Sequence, residues 1–301
     1  GFIGSHLTRR LIQEGFEVGI IKRENSNIRR IVDLFVKIAA YDADLRNTQA
    51  VSKVVSDFKP DVIFHLAAYY AVDHKPEEIP LMIDTNVLGT VNLLEASKEC
   101  MVKLFVNTSS CFVYKESETK LREEDDLSPL NLYALTKLQA EQACSFYAEN
   151  YGLQTITFRI FPPYGPDDNE RRLIPYAIKS LLAGKRLKLT TGRQRWDFIY
   201  VDDIMDAYLK LLSVSDLTQK HEIFNIGTEN AVSAREVVSK IKGLIGGEVE
   251  PEWGAVPHRK NEVWFTCADI SKAKNILRWQ PEIQILEEGL ELTVEGGKNG
   301  R

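Results

Sequence analysis

From its first residues to about position 160 the chain alternates short apolar runs with longer amphipathic stretches, a pattern that restricts it to repeated βαβ units around a parallel sheet. The expected strands are Glu17–Ile21, Val36–Ala40, Val62–Leu66, Lys103–Thr108 and Gln154–Arg159. Helical spacing runs through Ser5–Glu14, Asn47–Phe58, Thr85–Glu99 and Tyr133–Tyr151, each long enough to cross back over a sheet. The fold class that follows is α/β, a doubly wound parallel sheet. After Tyr164-Gly165-Pro166 the alternation loosens into a helix at Arg172–Ala183, a strand-like Trp196–Val201 and a helix at Asp203–Leu212. A strand at Ile223–Ile226, a helix at Ala234–Leu244 and a C-terminal helical stretch follow, before a Gly/Lys tail at Gly296–Arg301.

Composition narrows the partners. With a formal charge of -5 there is no electrostatic reason to expect nucleic acid, although local arginines can still hold small phosphates. The longest apolar stretch, around Val62–Val72, contains His65 and is far short of the roughly 20 apolar residues of a membrane span, so no membrane partner is expected. Cys100, Cys111, Cys144 and Cys267 lie far apart, with no Cys-x-x-Cys pair and no His/Cys cluster at metal-ligand spacing. They read as reduced, packed thiols of a cytoplasmic protein without a metal.

The chain opens on Gly1-Phe2-Ile3-Gly4-Ser5-His6-Leu7, which matches the later glycines of a phosphate loop. A further strand, the first of the sheet, is expected to precede residue 1, within about a dozen residues. Gly-x-x-Gly at a helix start brings backbone N–H groups and the positive helix end against a pyrophosphate. Alone the fragment also fits a glycine-rich helix cap. The apolar strand that follows it places an adenosine pocket at that strand's end, where Lys22 and Arg23 stand instead of the acid usual for NAD. Cations suit a 2′-phosphate, so NADP is the expected cofactor, with NAD possible; a solvated basic turn is the bland alternative. Asp44-Leu45 should face the adenine, a role compatible with Asp44 as a helix N-cap.

Asn107-Thr108-Ser109-Ser110 follows an apolar strand, so its hydroxyls stand at the carboxyl edge of the sheet where ligands collect. Tyr133 comes 23 positions after Ser110 (133 − 110), and Lys137 four later. Tyr-x-x-x-Lys on a helix puts both side chains on one face, and an ammonium beside a phenol favours the phenolate. Tyr133 then moves a proton to or from a sugar hydroxyl, Ser110 holds the same oxygen, and Lys137 also bonds the nicotinamide ribose. On an ordinary helix the spacing means nothing; its weight comes from register with the serine segment and the glycine loop.

These residues, with His65-Leu66-Ala67-Ala68, Asn86-Val87-Leu88-Gly89-Thr90, Tyr164-Gly165-Pro166, Asp197-Phe198-Ile199-Tyr200-Val201-Asp202-Asp203 and Asn225-Ile226-Gly227, give the chain a resemblance over nearly all its length. It resembles the NAD-dependent epimerase/dehydratase family, extended short-chain dehydrogenases/reductases acting on nucleotide sugars. The resemblance implies a Rossmann domain over 1–163, with 195–227 returning to it, and a mainly substrate-binding smaller C-terminal lobe over 164–301. It also implies a cofactor lined by Gly1, Phe2, Ile3, Gly4, Leu66, Ala67, Ala68 and Thr108 besides the residues above, and Asn86 bracing the sheet edge. Arg259 would bind the diphosphate of a nucleotide-diphosphate sugar, for which a two-pronged guanidinium is suited, and a homodimer is implied through the Thr85–Glu99 and Tyr133–Tyr151 helices.

Three departures from the family pattern bear on chemistry. Where dehydratases carry an acid pair after the catalytic hydroxyl, this chain has Cys111 and Phe112, which disfavours dehydration. The asparagine often found after Arg-x-Phe is Pro162, removing one usual substrate contact. The arginine that normally precedes Asp-Phe-Ile-Tyr-Val is Trp196, with Arg195 beside it to supply the charge, helped by Arg171 or Arg172. The tryptophan resembles deoxysugar-nucleotide ketoreductases such as CDP-abequose synthase. The leading expectation is therefore an NADP(H)-dependent 4-ketoreductase of a nucleotide-linked 4-keto-6-deoxyhexose. The rival is a C4 epimerase with bound NAD; a non-catalytic dinucleotide-binding sensor belongs to a different class, and the Ser110, Tyr133, Lys137 trio argues against it.

Overall fold

Parallel strands β3 (Val62–His65), β4 (Leu104–Ser110), β5 (Thr155–Ile160) and β6 (His221–Ile226) form a sheet in the order β6-β5-β4-β3. The computed structural model describes residues 1–214, 219–283 and 286–298, so the end of the Gly/Lys tail, 299–301, lies outside the described residues. β4 and β5 are buried along their whole length, as central parallel strands must be when helices cover both faces. Strands β1 (Gly19–Lys22) and β2 (Ala39–Asp42) make a parallel pair of their own. No described strand bonds both β1 and β3, so among the described residues these parallel strands fall in two ladders.

Alternation along β4 sends neighbouring side chains into two cores. Phe105 joins Val51 and Val55 of α2 (Thr48–Phe58), Leu93 and Leu94 of α3 (Gly89–Glu99) and Cys144 and Tyr147 of α4 (Leu132–Tyr151). Val106 on the other face joins Leu7 and Leu11 of α1 (Phe2–Gln13), together with Ile204 and Tyr208 of a later helix, Val201–Leu211. Asparagine caps set the register of the first layer: Asn47 accepts from the Ala50 N–H to start α2, and Asn131 from the Ala134 N–H to start α4, each at about 3 Å.

Three expected elements differ. Val32–Lys37 is a 3-10 turn and β2 begins at Ala39, because the exposed Val36 has no apolar surface to pack on. The helix expected at Thr85 begins at Ile79 and passes through a π turn at Asp84–Leu88 before α3. Trp196–Val201 is two short strands, Arg195–Asp197 and Ile199–Tyr200, and Val201 already starts a helix.

The C-terminal half gives β6 and the Val201–Leu211 helix to the first sheet and otherwise builds its own layer. Helices α5 (Leu173–Leu182), α6 (Val201–Leu211), α7 (Ala234–Ile245) and α8 (Leu286–Lys298) follow in order, and α7 packs on α5 and α8. A small sheet orders Ala231–Ser233, Arg195–Asp197 and Phe265–Thr266. Asp197 ties the end of β6 to this small sheet: fully buried, it accepts from the N–H groups of Thr228 at 2.8 Å, Glu229 at 3.0 Å and Ala268 at 2.9 Å. Burial pushes its carboxyl up to about 6, leaving it ionised at neutral pH to take those donors. A Cβ on Gly227 would lie 2.6 Å from the Ala268 Cβ and 2.8 Å from Asp197 Oδ2, so only glycine lets the chain leave β6 here. No described helix is long and apolar enough to cross a membrane, and all four cysteines are unpaired thiols.

Candidate active site

The candidate side chains come from the start of α1 and from the segments that follow β1, β3 and β4. Gly1 caps α1 with no side-chain hydrogen bond and no acid in the first turn, which leaves its first N–H groups free of side-chain partners. Nothing lies within 4 Å of a Cβ built on Gly1, and one on Gly4 would meet Leu66 Cβ at 4.0 Å. Phe2, Ile3 and Leu66 are half-buried and Ala67 and Ala68 exposed, so the helix start and the segment after β3 face one open space. The donor set fits a dinucleotide pyrophosphate.

At the adenosine end the picture changes. Lys22 is ion-paired with Asp42, its register partner across the β1–β2 ladder, so the free cation expected there is shared with a carboxylate. Arg23 is exposed, its N–H held by Ser26 Oγ at 3.0 Å. Asp44 is not the cap of α2, which is Asn47; it accepts from the Arg46 N–H at 3.0 Å and the Arg46 guanidinium at 2.7 Å, and that guanidinium holds its carboxyl at about 2. Leu45 is a core residue whose carbonyl accepts from Asn92 at 2.7 Å. Thr108 likewise turns inward: its hydroxyl is 2.6 Å from the Tyr208 hydroxyl, because alternation along β4 aims it into the core beneath the site.

Ser110, Tyr133 and Lys137 gather where β4 ends and α4 begins. Ser110 closes β4, its Oγ accepting from the Phe112 N–H at 3.3 Å. Tyr133 lies in the first turn of α4 and Lys137 one turn on, 3% exposed. Burial raises the Tyr133 phenol above its ordinary value, and Tyr70 and Cys111 add to that while Arg172 opposes it. Burial also draws the Lys137 ammonium down to about 8, against the pull of Glu141 and Cys144. Among the described residues no side chain hydrogen-bonds the Tyr133 hydroxyl or the Lys137 ammonium, so both polar ends stay available to ligands. Cys111, pushed up to about 12 by burial, is a neutral wall and no general base.

Further groups ring the trio. Tyr70, which the sequence did not single out, packs its ring edge-to-face on Tyr133 with centroids 4.9 Å apart. Asn86, buried in the π turn, accepts from the Tyr69 N–H at 2.7 Å and donates to the Tyr69 carbonyl at 3.0 Å and to Thr136 Oγ1 at 2.9 Å, tying this loop to α4. Π turns often mark functional segments. From the C-terminal half, Asn261 donates to the Leu130 carbonyl at 3.3 Å and seats the Arg259 segment beside the start of α4. Arg259 Nε is 3.3 Å from Asp73 of the loop after β3, in an exposed pair.

The remaining arginines divide. Arg172, 3.4 Å from Asp168, is the cation that acts on Tyr133, whereas Arg171 is exposed. Arg195 donates to the Ala231 carbonyl at 2.8 Å and, as the strand neighbour of Trp196, faces the opposite side, so it does not stand in for the missing arginine. Trp196 itself donates to the Val263 carbonyl at 2.8 Å.

The model of the NAD dependent epimerase/dehydratase family matches residues 1–227. The chain is 33% identical to a UDP-glucuronate 4-epimerase of Thermodesulfobacterium geofontis, over 99% of this chain and 94% of that protein. It is 28% identical to CDP-abequose synthase of Salmonella typhimurium, over 97% and 93% of the two chains. The structure of a UDP-glucuronic acid 4-epimerase from Bacillus cereus with UDP-glucuronic acid and NAD superposes with a TM-score of 0.90 at 29% identity, covering 99% of this chain and 96% of that one. The chain belongs to the NAD-dependent epimerase/dehydratase family and is an enzyme of the extended short-chain dehydrogenase/reductase type.

Proposed function

We propose that this protein is a nucleotide-sugar 4-epimerase with tightly held NAD, and that Ser110, Tyr133 and Lys137 carry its chemistry. One observation shifts the balance from reduction toward epimerisation: Lys22, the cation that favoured a 2′-phosphate, is paired with Asp42, so the adenosine end offers a carboxylate as well as an ammonium. UDP-glucuronate 4-epimerase relatives and a neighbour holding NAD support the same reading. Bound NAD supplies a hydride acceptor and donor at C4 of the sugar.

The chain's own residues do the rest. Tyr133 takes the proton of the C4 hydroxyl as the C4–H bond breaks, and returns it once the hydride has come back to the other face. Ser110 hydrogen-bonds the same oxygen, and Lys137 places its buried ammonium where a developing phenolate is stabilised. Glycines at the α1 start hold the pyrophosphate, and Arg259, released from Asp73, takes the sugar diphosphate. A homodimer through α3 and α4 fits the exposed Leu135 and Phe146 on α4.

A second reading, an NADP(H)-dependent 4-ketoreductase, is favoured by Trp196 at the usual arginine position and by the similarity to CDP-abequose synthase. Absorbance of reduced nicotinamide separates the two. With NAD and UDP-glucose or UDP-glucuronate, we expect the C4 epimer and no net change in the reduced band; stoichiometric loss of NADPH with a nucleotide-linked 4-keto-6-deoxy sugar, and no epimer, would establish the reductase instead.

A further inference from the structure

Directly beneath the trio lies a charged pair that water does not reach. Glu141, one turn past Lys137 on α4, is 3% exposed, and Arg159 on β5 is 2% exposed. The guanidinium meets the carboxylate at 2.7 Å through Nη2 and at 3.2 Å through Nε to each oxygen, while the Ser109 hydroxyl donates to the same carboxylate. Arg159 is fixed in turn by the Glu123 carbonyl at 2.9 Å and by the ring of Tyr114 at 4.7 Å, whose hydroxyl donates to Asn225 of β6 at 2.6 Å. The network therefore links α4, β4, β5 and β6 at one point, and its serine is the residue next to Ser110.

Stability alone does not call for such a pair. Burying two ions costs several kcal/mol each, and well-packed apolar residues of similar volume often serve as well or better. We propose that Glu141 is a positioning residue for the reaction: clamped by Arg159 and Ser109, its carboxylate keeps the buried Lys137 ammonium charged and in place, and holds the strand end that presents Ser110. This rests on the assignment of Ser110, Tyr133 and Lys137 to catalysis.

The surroundings leave Glu141 as the anion that does this. On α4, Cys144 is a buried thiol far above its ordinary range, hence neutral. Cys111, on the turn after β4, is also neutral. His65 at the end of β3 is drawn down to about 3 by burial and by Lys137; because Thr90 donates to the Asn86 carbonyl at 2.6 Å, His65 Nε2 must carry the proton that it gives Thr90 at 2.9 Å. Asp84 of the π turn faces Arg46, Glu95 of α3 is held by Lys98 and Tyr147, and on β6 Glu222 pairs with Lys272 while His221 is neutral. Arg172, the residue before α5, is the cation that acts on Tyr133.

The test compares the full chain, loaded with NAD, with its Glu141→Gln, Glu141→Asp, Glu141→Gln/Arg159→Gln and Tyr133→Phe variants, assayed with UDP-glucose and UDP-glucuronate across pH. Glu141→Gln is expected to lower kcat at pH 7.5 about threefold and to move the alkaline limb to lower pH by about one pH unit, with KM and NAD binding within about twofold. Glu141→Asp should restore most of the rate. Should the single variant fail to fold with Arg159 left unpaired, the double variant, which leaves no unpaired charge, is expected to show the same displaced limb. A folded Glu141→Gln or double variant with the parent pH profile overturns the proposal. Full activity in Tyr133→Phe would instead remove the catalytic assignment on which it stands.

Discussion

At the scale of single residues, the proposed site sets a phenol that burial keeps protonated one helical turn from an ammonium that burial brings close to neutrality. Lys137 sits at about 8, well below a free lysine, so it is charged at neutral pH and loses its proton as pH rises through that value. A neutral Lys137 no longer favours the Tyr133 phenolate. The substrate-limited rate, kcat/KM, is therefore expected to fall on the alkaline side with a midpoint near 8, measured from a pH series at low substrate; a rate flat to pH 10 would contradict this role. The sequence could offer the trio as a candidate because hydroxyl, phenol and ammonium stand at fixed spacing around a strand end and a helix start. Glu141 and Arg159 were not, because a glutamate on a helix and an arginine in a strand look alike whether they face water or each other. One signal was present: Arg159 interrupts an otherwise uncharged strand that is buried along its length.

Among elements, the register of α4 matters most, since it carries Tyr133, Lys137 and Glu141 on successive turns. Asn131 fixes its start, Asn86 grips it through Thr136, and Asn261 brings the Arg259 segment to it. The opposite face of α4 exposes Leu135 at 40% and Phe146 at 52%, apolar area of the kind that marks an interface. A homodimer through α3 and α4 is expected to appear in sedimentation as twice the 34.2 kDa chain mass, and Phe146→Glu to shift it toward monomer; a parent protein that stays monomeric at assay and higher concentrations counts against the dimer. The strand-like segment at Trp196 shows how local pattern misleads. Its apolar run reads as one strand, but the buried Asp197 collects N–H donors from three later positions and the chain turns there into two short strands.

For the whole molecule, the α/β class follows from apolar periodicity, because parallel strands and their crossover helices have different periods. What the periodicity does not carry is the pairing across strands. Lys22 reads as a free cation until the ladder sets Asp42 beside it, and Arg195 reads as a substitute for its neighbour until the pleat turns it away. Both corrections bear on the reaction, since one concerns the coenzyme and the other the substrate charge.

The central claim, that hydride leaves C4 of a nucleotide sugar and returns to the same carbon, is tested most directly with UDP-glucose carrying deuterium at C4. Incubated with the NAD-loaded protein and analysed by mass spectrometry and NMR, the label is expected at C4 of the epimer, with no net reduced coenzyme formed. If UDP-glucuronate is turned over and UDP-glucose is not, the same experiment applies to the C4-labelled acid. Label lost to solvent, or accumulating in reduced coenzyme without any epimer from either sugar, would contradict the account.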